Sequence, residues 1–263
     1  MAKKNSAAAE GTKPIYWKYQ PGQDNEGFPW GPHKLPLEMN FEGVNLVVEK
    51  HEGGFMYRRE SRGESIKKVI LADKGSLLLS PVEPFYLPVG ISNHLLIAFE
   101  QPVTIEPRTT KNVLVTFPLE LVSAIDQRKA GKRILDTFTL CRPKFTLYGS
   151  IRDGLVCKYW QSEVHNTIPS VNPLEYGVMK LAIQNTSARW VEARKAVFSA
   201  HGMKIYFSQS LVSLKATMKI SSESSAETNF VDEPLQAGMN KALELFSARL
   251  ISLPGKTVME GGY

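Results

Sequence analysis

Between Leu77 and Pro107 the chain is cut by Pro81, Pro84, Pro88, Pro102 and Pro107 into short apolar runs, among them Leu77-Leu78-Leu79 and Leu95-Leu96-Ile97-Ala98-Phe99. Proline lacks a backbone N–H and fits neither a helix interior nor a central strand, so these positions predict strand starts, edges or corners. Brief buried strands lie between them. This is the grammar of an all-β core, and nothing within it has the residue types and spacing of a reaction centre.

Period-two alternation surrounds the stretch. Val44, Leu46 and Val48 face one way and Asn45 and Glu49 the other. Glu52-Gly53-Gly54 supplies a turn, Phe55 to Arg59 returns, Arg62-Gly63-Glu64 turns again and Ile66 to Leu71 forms a third strand. Val113, Val115 and Phe117 alternate into Pro118. Phe145 to Tyr148 and Leu155 to Trp160 read as a hairpin closed by Gly-Ser-Ile-Arg-Asp-Gly, and Val212, Leu214, Ala216, Met218 and Ile220 make the cleanest period-two run in the chain. The period then changes. Leu235, Met239, Leu243, Phe246 and Leu250 share one helical face, with Asp232 as N-cap, Pro234 in the first turn and Pro254-Gly255 as the stop.

Many short strands followed by one helix predict a mainly β chain: an antiparallel β-sandwich, either one or two stacked small ones, with one C-terminal amphipathic helix. Residues 1–38, rich in proline, glycine and aromatics but without periodicity, read as a leader. Its beginning, through about Gly11, is polar enough to be mobile, while Tyr16, Trp17, Tyr19, Phe28 and Trp30 argue that the rest packs on the main body. Residues 39–231 then form the β domain, with a sub-boundary near the polar loop 126–133, and residues 232–263 the helix and tail. Strands and helices do not alternate as a parallel nucleotide-binding sheet requires.

Composition narrows the function classes. The 263 residues, 43% hydrophobic, suit a packed core. The 32 basic residues against 26 acidic ones leave a formal charge of +6, a mild excess and weak grounds by itself for a polyanionic partner. Cys141 and Cys157 make neither a disulfide framework nor a thiolate zinc site, and read as reduced thiols. No apolar region follows the basic start to make a secretory signal. The longest uncharged apolar stretch, Pro84 to Phe99, falls short of the roughly 20 residues a membrane span needs. These features place the chain in the cytoplasm without a transmembrane segment.

No Walker A sequence, dinucleotide fingerprint or nucleophile elbow is present, and the histidines His33, His51, His94, His165 and His201 show no local pairing. No cofactor, metal site or catalytic residue is therefore assigned. Glu83, Glu100, Glu106 and Glu120 lie in or beside apolar strands, where a charge needs a partner or a raised pKa. A carboxylate-dependent hydrolase would need two of them converging on one cleft.

Two basic clusters remain. In residues 58–68, Arg58, Arg59 and Lys68 stand with Arg62 and Lys67 around a hairpin; in 128–144, Arg128, Lys129, Lys132, Arg133, Arg142 and Lys144 surround the mid-chain loop. With Phe138, Phe145 and Tyr148 nearby, they could bind nucleic acid or another polyanion through stacking beside a phosphate rim, and a solvated hairpin explains the same residues without a ligand.

Leu79-Ser-Pro-Val-Glu-Pro84 with Leu87-Pro88, Leu95 through Pro107, Phe117-Pro-Leu-Glu120, Leu147-Tyr-Gly149, Cys157-Lys-Tyr-Trp160, Trp190-Val-Glu192 and Met259-Glu-Gly-Gly262 together resemble an uncharacterised, mainly archaeal family, catalogued as domain of unknown function four hundred and thirty-two. The resemblance covers about residues 40 to 262. It implies a soluble protein with no assigned activity and no catalytic residues to carry over, and a partner near the membrane, such as a small-conductance mechanosensitive channel. The residues themselves favour a non-enzymatic binding or protein-interaction module first, a polyanion binder second and a hydrolase third.

Overall fold

The computed structural model describes residues 13–21, 28–127, 131–200, 202–222, 224–245, 257–260 and 262–263. Along them the chain is built of strands, with no helix: β1 (Ile15–Trp17), β2 (Gly31–Lys34), β3 (Leu37–Phe41), β4 (Val44–His51), β5 (Gly54–Ser61), β6 (Glu64–Ile70) and β7 (Ser76–Val82) come first. The middle holds β8 (His94–Ile105), β9 (Thr110–Pro118), β10 (Glu120–Gln127), β11 (Gly131–Phe138), β12 (Phe145–Tyr148) and β13 (Leu155–Ser162). The last part adds β14 (Tyr176–Asn185), β15 (Val191–Ser199), β16 (Tyr206–Phe207), β17 (Val212–Ile220), β18 (Ala226–Val231), β19 (Asn240–Lys241) and β20 (Thr257–Met259). No helix among the described residues is long and apolar enough to cross a membrane.

The chain divides into two units, the first Met1–Leu79 with Val122–Asp136, the second Ser80–Leu121 with Thr137–Tyr263. The first unit contains a five-stranded sheet in the order β1-β3-β4-β5-β6, and its parts of β7, β10 and β11 join β2 in the order β11-β10-β7-β2. Hairpin geometry follows the turn residues. Glu42 and Gly43, then Arg62 and Gly63, all have positive φ (45°, 77°, 48° and 83°), the type I′ conformation whose twist matches two paired strands. Val44, Leu46 and Val48 are buried as their alternation predicts, with Met39, Phe41 and Tyr57 in register beside them. Phe28, fully buried, meets Trp17, Trp30 and Phe41 with ring centroids 5.2, 4.7 and 5.0 Å away, so Phe28 is a core residue of this unit, flanked by the half-buried Trp17 and Trp30, while Tyr16 is exposed.

The second unit has a sheet in the order β12-β13-β8-β15 and another in the order β19-β16-β17-β14-β9, with β18 on β17 and β20 on β18. Pairing is mainly antiparallel. The parallel exceptions β1–β3, β13–β8 and β14–β17 each join strands separated by at least one other strand, so strands make the crossovers that helices make in α/β folds. Pro102 lies beyond Phe99, the last residue of β8 that β13 pairs, and inside the register break where β15 passes from Ala193↔Val103 to Lys195↔Ala98. The missing N–H costs nothing there. The sheets meet through side chains: Trp160 Nε1 donates to Thr116 Oγ1 at 3.0 Å, and Thr116 N donates to Ser162 Oγ at 2.8 Å.

The amphipathic helix expected from 232 onward is a correction. Residues 232–245 are turns and the short strand β19, while Phe246, Leu250 and the Pro254-Gly255 stop lie outside the described residues. Gly238 stands at φ 82°, a left-handed value that interrupts a helix in mid-course. The segment's N–H groups also have better acceptors than an i−4 carbonyl: Ala242 N donates to Ile205 O at 2.9 Å, Leu243 N to Ser80 Oγ at 3.3 Å and Leu245 N to Glu83 Oε2 at 3.4 Å. Asp232, expected as an N-cap, instead accepts from Tyr206 OH at 2.6 Å and Lys241 Nζ at 2.8 Å.

Candidate binding edge on the first unit

The β5–β6 hairpin sets up the site. Its two-residue turn closes on the pair Ser61↔Glu64, and hydrogen-bonded and non-bonded pairs alternate along an antiparallel ladder. Glu64, Ile66, Lys68 and Ile70 therefore turn their backbone groups to β5. Ser65, Lys67 and Val69 turn theirs outward. Because β6 ends its sheet, these outward N–H and C=O groups have no backbone partner among the described residues.

Beside this edge lies the end strand of the other sheet, β11. Lys68 Nζ donates to Leu135 O, and a groove of about 340 Å³ runs between them, lined by Lys68–Ile70, Ile125, Gly131 and Arg133–Leu135. Val69 and Ile134 are exposed apolar side chains of this groove, and Leu71, exposed as well, follows the end of β6. Lys67, Lys132 and Arg133 are exposed, with no carboxylate paired to any of them among the described residues. The site thus combines open strand edge, apolar surface and unneutralised cations.

The residues expected to bind polyanions divide. Lys68 and Arg133 come together at the groove, and Lys132, next to Arg133 on β11, is exposed. Arg58 is half-buried on β5, paired with Glu49 at 3.6 Å and adjacent to Lys67. Arg59 is only 2% exposed, and its guanidinium bonds Asp136 at 2.5 Å, which removes it from any ligand. Arg142 and Lys144 belong to the second unit, and Arg128 and Lys129 lie outside the described residues.

Behind the groove sits a buried polar group. Tyr57 OH donates to Asp136 Oδ2 at 3.0 Å and accepts from Ser123 Oγ at 3.2 Å, and Asp136 also holds Arg59. Burial, reinforced by the Asp136 charge, pushes the Tyr57 phenol well above its ordinary range, so it remains a donor at any working pH. This group fixes β5 against β10 and β11 and hence the shape of the groove. Asp136, inside the apolar run Ile134 to Leu140, was its one signal in the sequence.

The candidate glutamates are accounted for separately. Glu100 is exposed and Glu106 pairs with Lys111 at 2.8 Å. Glu120, fully buried, accepts from Lys158 Nζ at 2.8 Å, Leu87 N at 3.0 Å and Tyr86 N at 2.9 Å; burial raises its pKa and Lys158 opposes the rise. Glu83 is 2% exposed, and burial lifts it to about 7. Neither buried carboxyl has the solvent access that a general acid or base facing a cleft requires. Burial likewise pushes the Cys157 thiol up to about 11, which leaves it protonated and unsuited to nucleophilic work.

No curated protein and no solved structure matches this chain. The family model described as Protein of unknown function (DUF432) matches residues 29–260.

Proposed function

The chain belongs to the family Protein of unknown function (DUF432), and on that footing we propose that it is a non-enzymatic binding module of two small β-sandwiches whose first unit captures an extended acidic segment of a partner protein along β6. The observation that carries this reading is the set of outward backbone groups at Lys67 and Val69 beside a groove that is both apolar and cationic. An incoming strand would complete the ladder, and its alternate side chains would fall on the two faces of the sheet. On one face its apolar side chains find Val69, with Lys67 two residues along; on the other its acidic side chains find Lys68. A second copy of this chain suits the edge poorly, because pairing β6 with itself brings lysines together, the usual device against self-association.

The test is titration of the full chain with a synthetic peptide alternating glutamate and valine, against one alternating lysine and valine. Val69→Pro removes an outward N–H and leaves the ladder to β5 intact. Binding of the acidic peptide alone, weakened about fivefold to tenfold by Val69→Pro and further by Arg133→Glu, supports the reading. Indifference to Val69→Pro, together with retention of single-stranded nucleic acid that collapses between low and high salt, would replace it with polyanion binding.

A further inference from the structure

In the second unit the segment that follows Phe207 in its sheet is only lightly held. Strand β19 is two residues long, both exposed, and pairs with Tyr206 and Phe207. Beyond it Ala242, Leu243, Glu244 and Leu245 are all half-buried and none belongs to the core. Their backbone reaches the body where Ala242 N donates to Ile205 O at 2.9 Å, Leu243 N to Ser80 Oγ at 3.3 Å and Leu245 N to Glu83 Oε2 at 3.4 Å. A stretch that buries so little opens at lower cost than the sheet it crosses.

Beneath it lies a carboxyl. Glu83 is buried just past the end of β7, and its one printed side-chain partner is the long bond from Leu245 N; no cation pairs with it among the described residues. The segment above brings the charge that opposes its ionisation. Glu244 bonds Lys204 Nζ at 2.5 Å and Lys241 Nζ at 3.0 Å; burial works against its own ionisation, but those bonds prevail and hold it below the usual carboxylate range. It is therefore a standing negative neighbour of Glu83. Lys204 favours a charge on Glu83, yet Glu244 already bonds it. From the loop after β7, Tyr86 feels the charges of both Glu83 and Glu120, and Glu120 is paired with Lys158. Burial, with Glu244 adding to it, lifts Glu83 to about 7 against the pull of its own N–H, Leu245 N–H and Lys204.

We propose that residues 242–245 form a proton-sensitive strap, seated on Glu83 while its carboxyl is neutral and lifted from it once the carboxyl is charged. Lifting lets water reach the carboxylate, separates it from Glu244 and uncovers Ser80 Oγ beside it. The Lys204–Glu244 pair given up on the way is partly exposed, so its loss costs little. With the strap seated the carboxyl ionises near 7; with the strap lifted and the group hydrated it ionises near its ordinary 4.5. The seated state holds the extra proton, so its advantage is complete below about pH 4.5 and lost as pH rises past 7. Between about pH 6 and pH 8 the opening constant should rise about tenfold.

The test is hydrogen exchange of the full chain at pH 6 and pH 8, read at the Leu243 and Leu245 amides and divided by the intrinsic exchange rate at each pH. In the parent, opening at both amides should rise about tenfold. In Glu83→Gln, which keeps an acceptor for Leu245 N–H and cannot ionise, it should stay constant. Urea below the unfolding transition should leave strap opening unchanged while it speeds exchange in β17, because lifting exposes little surface and unfolding exposes much. Opening that ignores pH in the parent overturns the proposal, as does a rise that persists in Glu83→Gln. So do strap amides that follow β17 in urea, since the segment would then open only with the whole unit. The pH and urea series on the parent decide the matter without the variant.

Discussion

Glu83 offers the sharpest quantitative test of the packing of the second unit. Its side chain is 2% exposed, and burial is the main cause that raises its pKa from 4.5 to about 7; Glu244 adds to the rise, while Lys204, Leu245 N–H and its own N–H oppose it. In the unfolded chain the carboxyl ionises near 4.5; in the folded one it keeps its proton until about pH 7. Between those values the folded state binds more protons, so stability falls as pH rises. The contribution is complete below about pH 4.5 and lost once pH passes 7. At 1.36 kcal/mol per tenfold change in the ionisation constant, the whole loss is about 3 kcal/mol. Glu83→Gln keeps an oxygen to accept Leu245 N–H and cannot ionise. The variant should match the parent near pH 4 and exceed it by up to about 3 kcal/mol at pH 8, or by about 2–4 °C in melting temperature per kcal/mol. Urea unfolding at a series of pH values, followed by tryptophan fluorescence, measures this difference with the other titrating groups cancelling between the two proteins. A difference that stays flat with pH, or that favours the parent at pH 8, would refute the reasoning.

Two further outcomes concern packing. Lys158→Ala leaves Glu120 buried without its counter-charge and should destabilise by about 3–5 kcal/mol, whereas replacing both members of the pair with apolar residues of similar volume should restore most of the loss, measured by thermal unfolding. Gly177→Ala places a Cβ 2.3 Å from Phe117 Cζ and should cost about 1–3 kcal/mol, a penalty that Phe117→Leu in the same chain should reduce.

Much of the β architecture is written in local chemistry. Arg62-Gly63 closes its hairpin as the turn residues require, and Val212 to Ile220 alternates as a strand with one buried face. The helix expected after Asp232 shows where such reading stops. Leu235, Met239 and Leu243 do recur at helical spacing, but Gly238 and the acceptors on Ile205, Ser80 and Glu83, remote in sequence, decide the backbone. Lysine and arginine clusters were legible as charge and not as function. Arg59 and Lys68 are nine residues apart, yet one is sealed against Asp136 and the other borders a groove with Arg133. The difference arises from pairings across more than sixty residues, which no local pattern encodes. The parallel pairs were hidden for the same reason.

The division of the chain into units bears on how it is made. The first unit is interrupted by Ser80–Leu121 and completed only by Val122–Asp136. A ribosome must therefore deliver about half of the polypeptide before that unit has all its parts, while the segment belonging to its companion waits unfinished. Neither unit can be released by a single proteolytic nick or expressed by simple truncation. Gene fragments cut at any one point would yield one product with surplus strands and another lacking them.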